Sequence, residues 1–277
     1  MTRTRINRAL AGAAVAALAV ALALGAVALA RRLAEDWLRS ALGMTPDVLA
    51  GDARYRALVR GRRLPTPRLE CLQLCSRVHR AHAQRALLDV PRGFRLLDFL
   101  WLRGRRCAAA LAREPEGSVW VAFRCAAHLD EMFPRLLDAR ATPAGVHRGV
   151  WGAYLGIRDH LRELLCGHAG EVVLTGYSFG AALAAAAAVD LCGRADEQGV
   201  VPPGRVTLVA LASPPVLTPR AAAALARELA EVLAWAHPRD SIARLPWPGG
   251  RFVSLPVSSE PAGGAATSKP HSYGSLL

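Results

Sequence analysis

The chain has almost no lysine. Lys269 is the single lysine among 35 basic residues, set against 22 acidic ones, for a formal charge of +13 over 277 residues. Charge of that sign invites nucleic acid. The arginines are scattered, however, with short clusters only at Arg60-Gly61-Arg62-Arg63 and Arg103-Gly104-Arg105-Arg106. No DNA- or RNA-binding motif accompanies them, so nucleic acid is not expected as a partner. A basic surface near an anionic membrane suits the charge equally well. The sequence also lacks any C-x-x-C pair: Cys71, Cys75, Cys107, Cys125, Cys166 and Cys192 stand apart, and no second cluster completes a zinc set. Cys71 and Cys75, four apart, share a face if helical and read as small buried apolar side chains. The even count leaves disulfides open in an exported domain. Repeats and low-complexity linkers are missing from residues 33–277, which therefore read as one domain. A hydrophobic share of 52% against 21% charged residues supplies a core and excludes disorder.

What the amino terminus does have is an uncharged run from Ala9 to Ala30, with Arg3, Arg5 and Arg8 before it and Arg31-Arg32 after it. At about 1.5 Å per residue such a helix reaches roughly 33 Å, enough for a hydrocarbon core of about 30 Å. The length favours an uncleaved membrane anchor over residues 1–32. Ala28-Leu29-Ala30 also resembles a small-x-small cleavage site, so a cleaved signal that releases the domain is the alternative.

Beyond that segment, helical spacing or composition predicts helices over Leu33 to Leu42, Pro67 to Leu88, Gly149 to Leu165, Ala181 to Cys192 and Arg220 to Leu229. Short apolar runs at Cys107 to Ala112, Ser118 to Phe123, Glu171 to Thr175, Val206 to Ala212 and Glu231 to Ala236 read as strands. Glu114-Pro115-Glu116-Gly117 has turn composition, and Pro256 to Pro270 is loop-like. The alternation predicts an α/β fold with a mostly parallel central sheet flanked by helices.

The chemistry concentrates in Gly176-Tyr177-Ser178-Phe179-Gly180, which follows the run Val172-Val173-Leu174-Thr175 and opens the alanine-rich helix. G-x-S-x-G is meaningful in that strand-turn-helix context. A strand that turns sharply into a helix strains the serine backbone, and glycines two residues away on either side leave room for the turn. The helix start then directs free amides and a positive dipole end at charge developing on a substrate oxygen. Ser178 is thereby a candidate nucleophile.

A nucleophilic serine needs a base, and the base an orienting acid. Only His237 and His271 follow Ser178. Asp190 lies in the helix running away from the serine, whereas Asp240 follows a predicted strand. His237 is three residues from Asp240 on the same loop and is poorly set to bridge acid to serine. His271, in a separate late loop, is the better base.

With these residues in order, the chain resembles the class 3 lipases, the fungal-lipase-like family of α/β hydrolases. The likeness runs from about Leu69 to Tyr273. Ser118 to Arg124 resembles the family's strand ending in phenylalanine-arginine, and Val146-His147-Arg148-Gly149-Val150 its next signature. Leu208 to Pro214 matches the strand after the nucleophile helix. Asp240 to Pro246 falls on the acid loop, and His271-Ser272-Tyr273 falls near the catalytic histidine. The resemblance implies a Ser178-Asp240-His271 triad acting on carboxylic esters of acylglycerols or related lipids, with no metal or organic cofactor. It also implies an oxyanion site made by the backbone amides of Ala126 and Phe179.

Two departures stand out. The family's glycine and following serine or threonine after phenylalanine-arginine are Cys125 and Ala126 here, so the usual hydroxyl support of the oxyanion is missing. Cys125 has no histidine paired with it by pattern and is expected to pack; His147 is expected to be structural. The stretch with Leu129, Met132, Phe133, Leu136 and Leu137 beside Asp130, Glu131, Arg135 and Asp138 is amphipathic. It reads either as a lid over the acyl site or as an ordinary surface helix.

Overall fold

The computed structural model describes residues 67–83, 88–102, 104–126, 132, 135, 137–193, 199–236, 240, 242–244 and 251–255. The two membrane readings of Ala9 to Ala30, the helix expected over Leu33 to Leu42, the loop at Pro256 to Pro270, and both His237 and His271 lie outside these residues. Among the described residues no helix is long and apolar enough to cross a membrane.

Among the described residues six strands form one sheet whose spatial order is their chain order: β1 Phe94–Leu102, β2 Arg105–Arg113, β3 Val119–Phe123, β4 Val172–Tyr177, β5 Val206–Leu211 and β6 Glu231–Trp235. β1 with β2 and β2 with β3 pair antiparallel, while β3 to β6 are parallel neighbours. The expected mostly parallel sheet is therefore present, with an antiparallel hairpin added at one edge. Each parallel step is made by a helix: α2 Arg148–Leu165, α3 Phe179–Leu191 and α4 Pro219–Glu228, as parallel connections require. A further helix, α1 Pro67–Ala83, precedes the sheet.

Burial explains why the sequence announced most of these strands. β3 and β4 are buried at every residue, as strands covered on both faces must be, and such strands read as continuous apolar runs. β1 was not expected. Its register shifts between Leu96 and Asp98 and again between Leu100 and Trp101, and Leu97 and Trp101 remain exposed. Each irregularity breaks the alternation by which a half-buried strand is recognised.

The two faces of the sheet differ. Cys71, Leu72, Leu74, Cys75 and Val78 of α1 join Ala109, Leu111, Trp120, Ala122, Val173, Tyr177, Val209 and Trp235 in one core. Period-two alternation then puts Gly176 on the opposite face from Tyr177, and there α3 packs on β3, β4 and β5. All 13 residues of α3 are buried. Its last turn is held by Asp190, whose carboxylate accepts hydrogen bonds from Tyr154 Oη (2.7 Å), Arg158 Nε (2.9 Å) and Arg162 Nη1 (3.1 Å) of α2. Those three donors lie four residues apart, on one helix face. Asp190 thus fastens α3 to α2 and points away from the nucleophile turn, as its position in the helix implied.

Candidate active site

The parallel strands end together at one edge of the sheet, the edge where open α/β sheets gather their functional loops. β4 ends at Tyr177 and α3 begins at Phe179, so Ser178 is the whole connection. Its backbone stands at φ 56°, ψ −121°, a region that a residue with a Cβ enters only at a cost of about 1–3 kcal/mol. The Ser178 amide donates to the Leu211 carbonyl at 2.8 Å, which extends the β4–β5 ladder by one residue. Its carbonyl accepts from the amides of Ala181 and Ala182. The serine backbone therefore belongs to strand and helix at once, and the strain is held from both sides. Its hydroxyl does not cap α3.

The flanking glycines are required by contact distance. A Cβ at Gly176 would stand 2.2 Å from the Gly180 carbonyl carbon and oxygen, and one at Gly180 would stand 2.4 Å from the Arg124 oxygen. Both are far inside van der Waals contact, and all the obstructing atoms are backbone. The second contact also ties α3 to the end of β3, bringing the loop that carries Cys125 and Ala126 to the start of the helix. Ala126 is partly buried there and Phe179 is buried as the first residue of α3.

Asp240, completely buried, follows β6 on the same edge, and its Oδ1 accepts from the Ile242 amide at 2.9 Å and the Ala243 amide at 3.2 Å. This carboxylate is fixed by its own loop. Burial pushes the Tyr177 phenol well above its ordinary value, and the Asp240 carboxylate and Cys125 thiol push in the same direction. The loops after β3 and β6 thus both come near Tyr177, the neighbour of Ser178 in the chain. The structure brings Ser178, Phe179, Ala126 and Asp240 to one edge, while the expected base His271 lies outside the described residues.

His147 is fully buried with its ring 4.9 Å from that of Phe252. Its amide donates to the Val216 carbonyl at 2.8 Å. It joins the start of α2 to later loops, as a structural residue would. Of the amphipathic stretch, Met132 is buried and Leu137 is 74% exposed, while Leu129, Phe133 and Leu136 lie outside the described residues.

The six cysteines are all free thiols, with Cys71 and Cys75 buried as expected. Burial pushes the Cys71 thiol up to about 12 and that of Cys75 well above its ordinary value, because a buried thiolate has no water to solvate it. Cys125 departs from expectation. Besides packing on the α1 core, its sulfur lies 3.1 Å from Nδ1 of His79. The two residues are 46 positions apart, and only the docking of α1 onto the sheet joins them, so no local pattern announces the pair. The one available signal was that His79 falls on the apolar face of its helix.

Residues 120–249 match the family described as Lipase (class 3). Among solved structures, the fold is similar to that of a fungal lipase in complex with an inhibitor, studied as a model for interfacial activation in lipases. That likeness has a TM-score of 0.55 at 17% identity, covering 66% of this chain and 74% of the other. The triacylglyceride lipase of Rhizomucor miehei gives 0.51 at 16% identity, covering 66% and 74%. Lipase II from Rhizopus niveus gives 0.52 at 17%, covering 66% and 75%. At these identities the likeness establishes the fold, an α/β sheet of lipase type. No curated protein matches the sequence.

Proposed function

We propose, on the match of residues 120–249 to the class 3 lipase family, that this protein is a serine hydrolase of carboxylic esters, acting on acylglycerols or related lipids. The observation that carries the reading is the Ser178 backbone, at φ 56° and ψ −121° between a buried strand and a buried helix. That backbone fits a serine raised at the head of α3 to meet a carbonyl carbon.

In this reading Ser178 Oγ attacks the acyl carbonyl while His271 takes its proton. Asp240, held by the Ile242 and Ala243 amides, orients the imidazole and stabilises its charged form. The amides of Phe179 and Ala126 receive the oxyanion, helped by the positive end of α3. The tetrahedral intermediate collapses, His271 returns the proton to the leaving alcohol, and water releases the acid by the same steps. The scheme calls on no metal or organic cofactor. A phospholipase or thioesterase would use the same site, and acyl substrates of each class separate these activities. Residues 1–32 serve either as an anchor that holds the domain at 33–277 to a membrane surface or as a cleaved signal that releases it.

Cys125 and Ala126, in place of glycine and a hydroxyl residue, favour one other reading: a lipase-like protein that binds lipid without turnover. A fluorophosphonate probe decides between them, since it bonds only an activated serine. Labelling at Ser178, lost in Ser178→Ala, is the expected result. A folded protein that takes up no probe is catalytically silent.

A further inference from the structure

We infer that Cys125 and His79 form a thiol–imidazole pair that makes Cys125 a site of reversible mixed-disulfide formation, a thiol switch set beside the Ser178 site. The control of hydrolysis rests on the function proposed above; the thiol chemistry does not.

Three observations on different elements carry the inference. The Cys125 sulfur lies 3.1 Å from Nδ1 of His79, which α1 delivers from across the core. The Arg124 guanidinium donates to the Cys125 carbonyl at 2.7 Å, placing a fixed cation in the neighbourhood of the sulfur. Imidazole and guanidinium neighbours both favour the thiolate. Finally, Cys125 is partly exposed, whereas Cys71, Cys75 and Cys107 are buried. A reagent from solution therefore meets Cys125 while those three sulfurs stay shielded.

The step balances with a small disulfide as the one co-reactant. The Cys125 thiol proton passes to Nδ1 of His79. The sulfur attacks one sulfur of the disulfide, whose S–S bond breaks, and the departing thiolate takes the proton from His79. The products are a protein mixed disulfide and one free thiol, and a second thiol reverses the exchange. The adduct sits between Ala126 and Arg124, whose carbonyl packs against Gly180 at the head of α3. A group of that size on the sulfur must displace this loop, and with it the Ala126 amide proposed to receive the oxyanion.

The test uses the full chain, oxidised glutathione and mass spectrometry of the cysteine peptides over time. Cys166 is exposed and serves as the internal reference thiol. Cys125 should form its mixed disulfide about fivefold faster than Cys166 at neutral pH, because His79 stands 3.1 Å away to take the thiol proton as the sulfur attacks. In His79→Gln the rate at Cys125 should fall to that of Cys166 or below. If that variant does not fold, the ratio in the parent protein decides alone. In the Cys166→Ser background, glutathionylated protein should lose fluorophosphonate labelling of Ser178 and recover it with dithiothreitol, and Cys125→Ala should keep its labelling throughout. Equal rates at Cys125 and Cys166, or a folded His79→Gln with an unchanged rate, overturn the pair. Full Ser178 labelling of the glutathionylated chain overturns the switch. A parent that never takes the probe sinks the proposed hydrolase instead, and the thiol rates still judge the pair.

Discussion

Gly180 and Arg124 meet backbone to backbone: a Cβ on Gly180 would stand 2.4 Å from the Arg124 carbonyl oxygen. This contact sets how closely the head of α3 approaches the end of β3, and so where the amides of Phe179 and Ala126 stand relative to each other. Gly180→Ala should therefore act on stability and turnover together. Overpacking of this kind costs about 1–3 kcal/mol, and the loop after β3 must move to relieve it. Thermal melts and steady-state kinetics on a soluble ester measure both effects. A variant matching the parent in melting and turnover would show that the loop yields freely.

The strain at Ser178 has a separate signature. Glycine occupies positive φ without penalty, so Ser178→Gly should be inactive yet more stable than Ser178→Ala, which keeps the strained backbone. The difference should be about 1 kcal/mol, allowing for the entropy of a glycine in the unfolded chain. For a domain of this size that is a melting shift of roughly 2–4 °C. Equal melting of the two variants would contradict the strain.

For the proposed triad, Asp240→Ala and His271→Ala should each remove most ester hydrolysis, and the double variant should lose little beyond the worse single one. The folded state of Asp240→Ala needs checking by circular dichroism, since its carboxylate also holds the Ile242 and Ala243 amides. Normal turnover in His271→Ala together with an inactive His237→Ala would transfer the role of base to His237.

Far from that edge, Asp190 predicts a stability effect without a kinetic one. Asp190→Ala removes the buried carboxylate on which donors from Tyr154, Arg158 and Arg162 converge. Breaking a buried ionic cluster by removing one partner costs about 3 kcal/mol or more, whereas Tyr154→Phe, which deletes a single hydrogen bond, should cost about 1 kcal/mol. Both should keep the turnover of the parent at temperatures below their melting. A fall in turnover with unchanged melting would mean that the cluster reaches the site.

The parts of this molecule legible in the sequence are those where local chemistry and tertiary environment agree. β4 and β5 are apolar because both faces are covered, and Gly176 and Gly180 are glycine because backbone atoms occupy the place of a Cβ. The place of Asp240 just after a strand was legible in the same way. What escaped notice depends on long-range docking or irregular pairing. β1 hid behind its two register shifts. The Cys125–His79 pair exists only because α1 lies across the sheet, and the Asp190 cluster gathers donors from a second helix. In each case the partner is chosen by the fold, at a sequence distance where no periodicity operates.

The complete burial of α3 also bears on how such a protein can change over generations. Seven of its 13 residues are alanine and none faces water, so nearly every replacement adds volume to a space already filled. The helix that carries the nucleophile is accordingly a frozen element, closed to drift on all sides. Novelty in what the site accepts must arise in the loops that meet it, after β3 and β6, where insertions and exchanges leave the packing of α3 untouched.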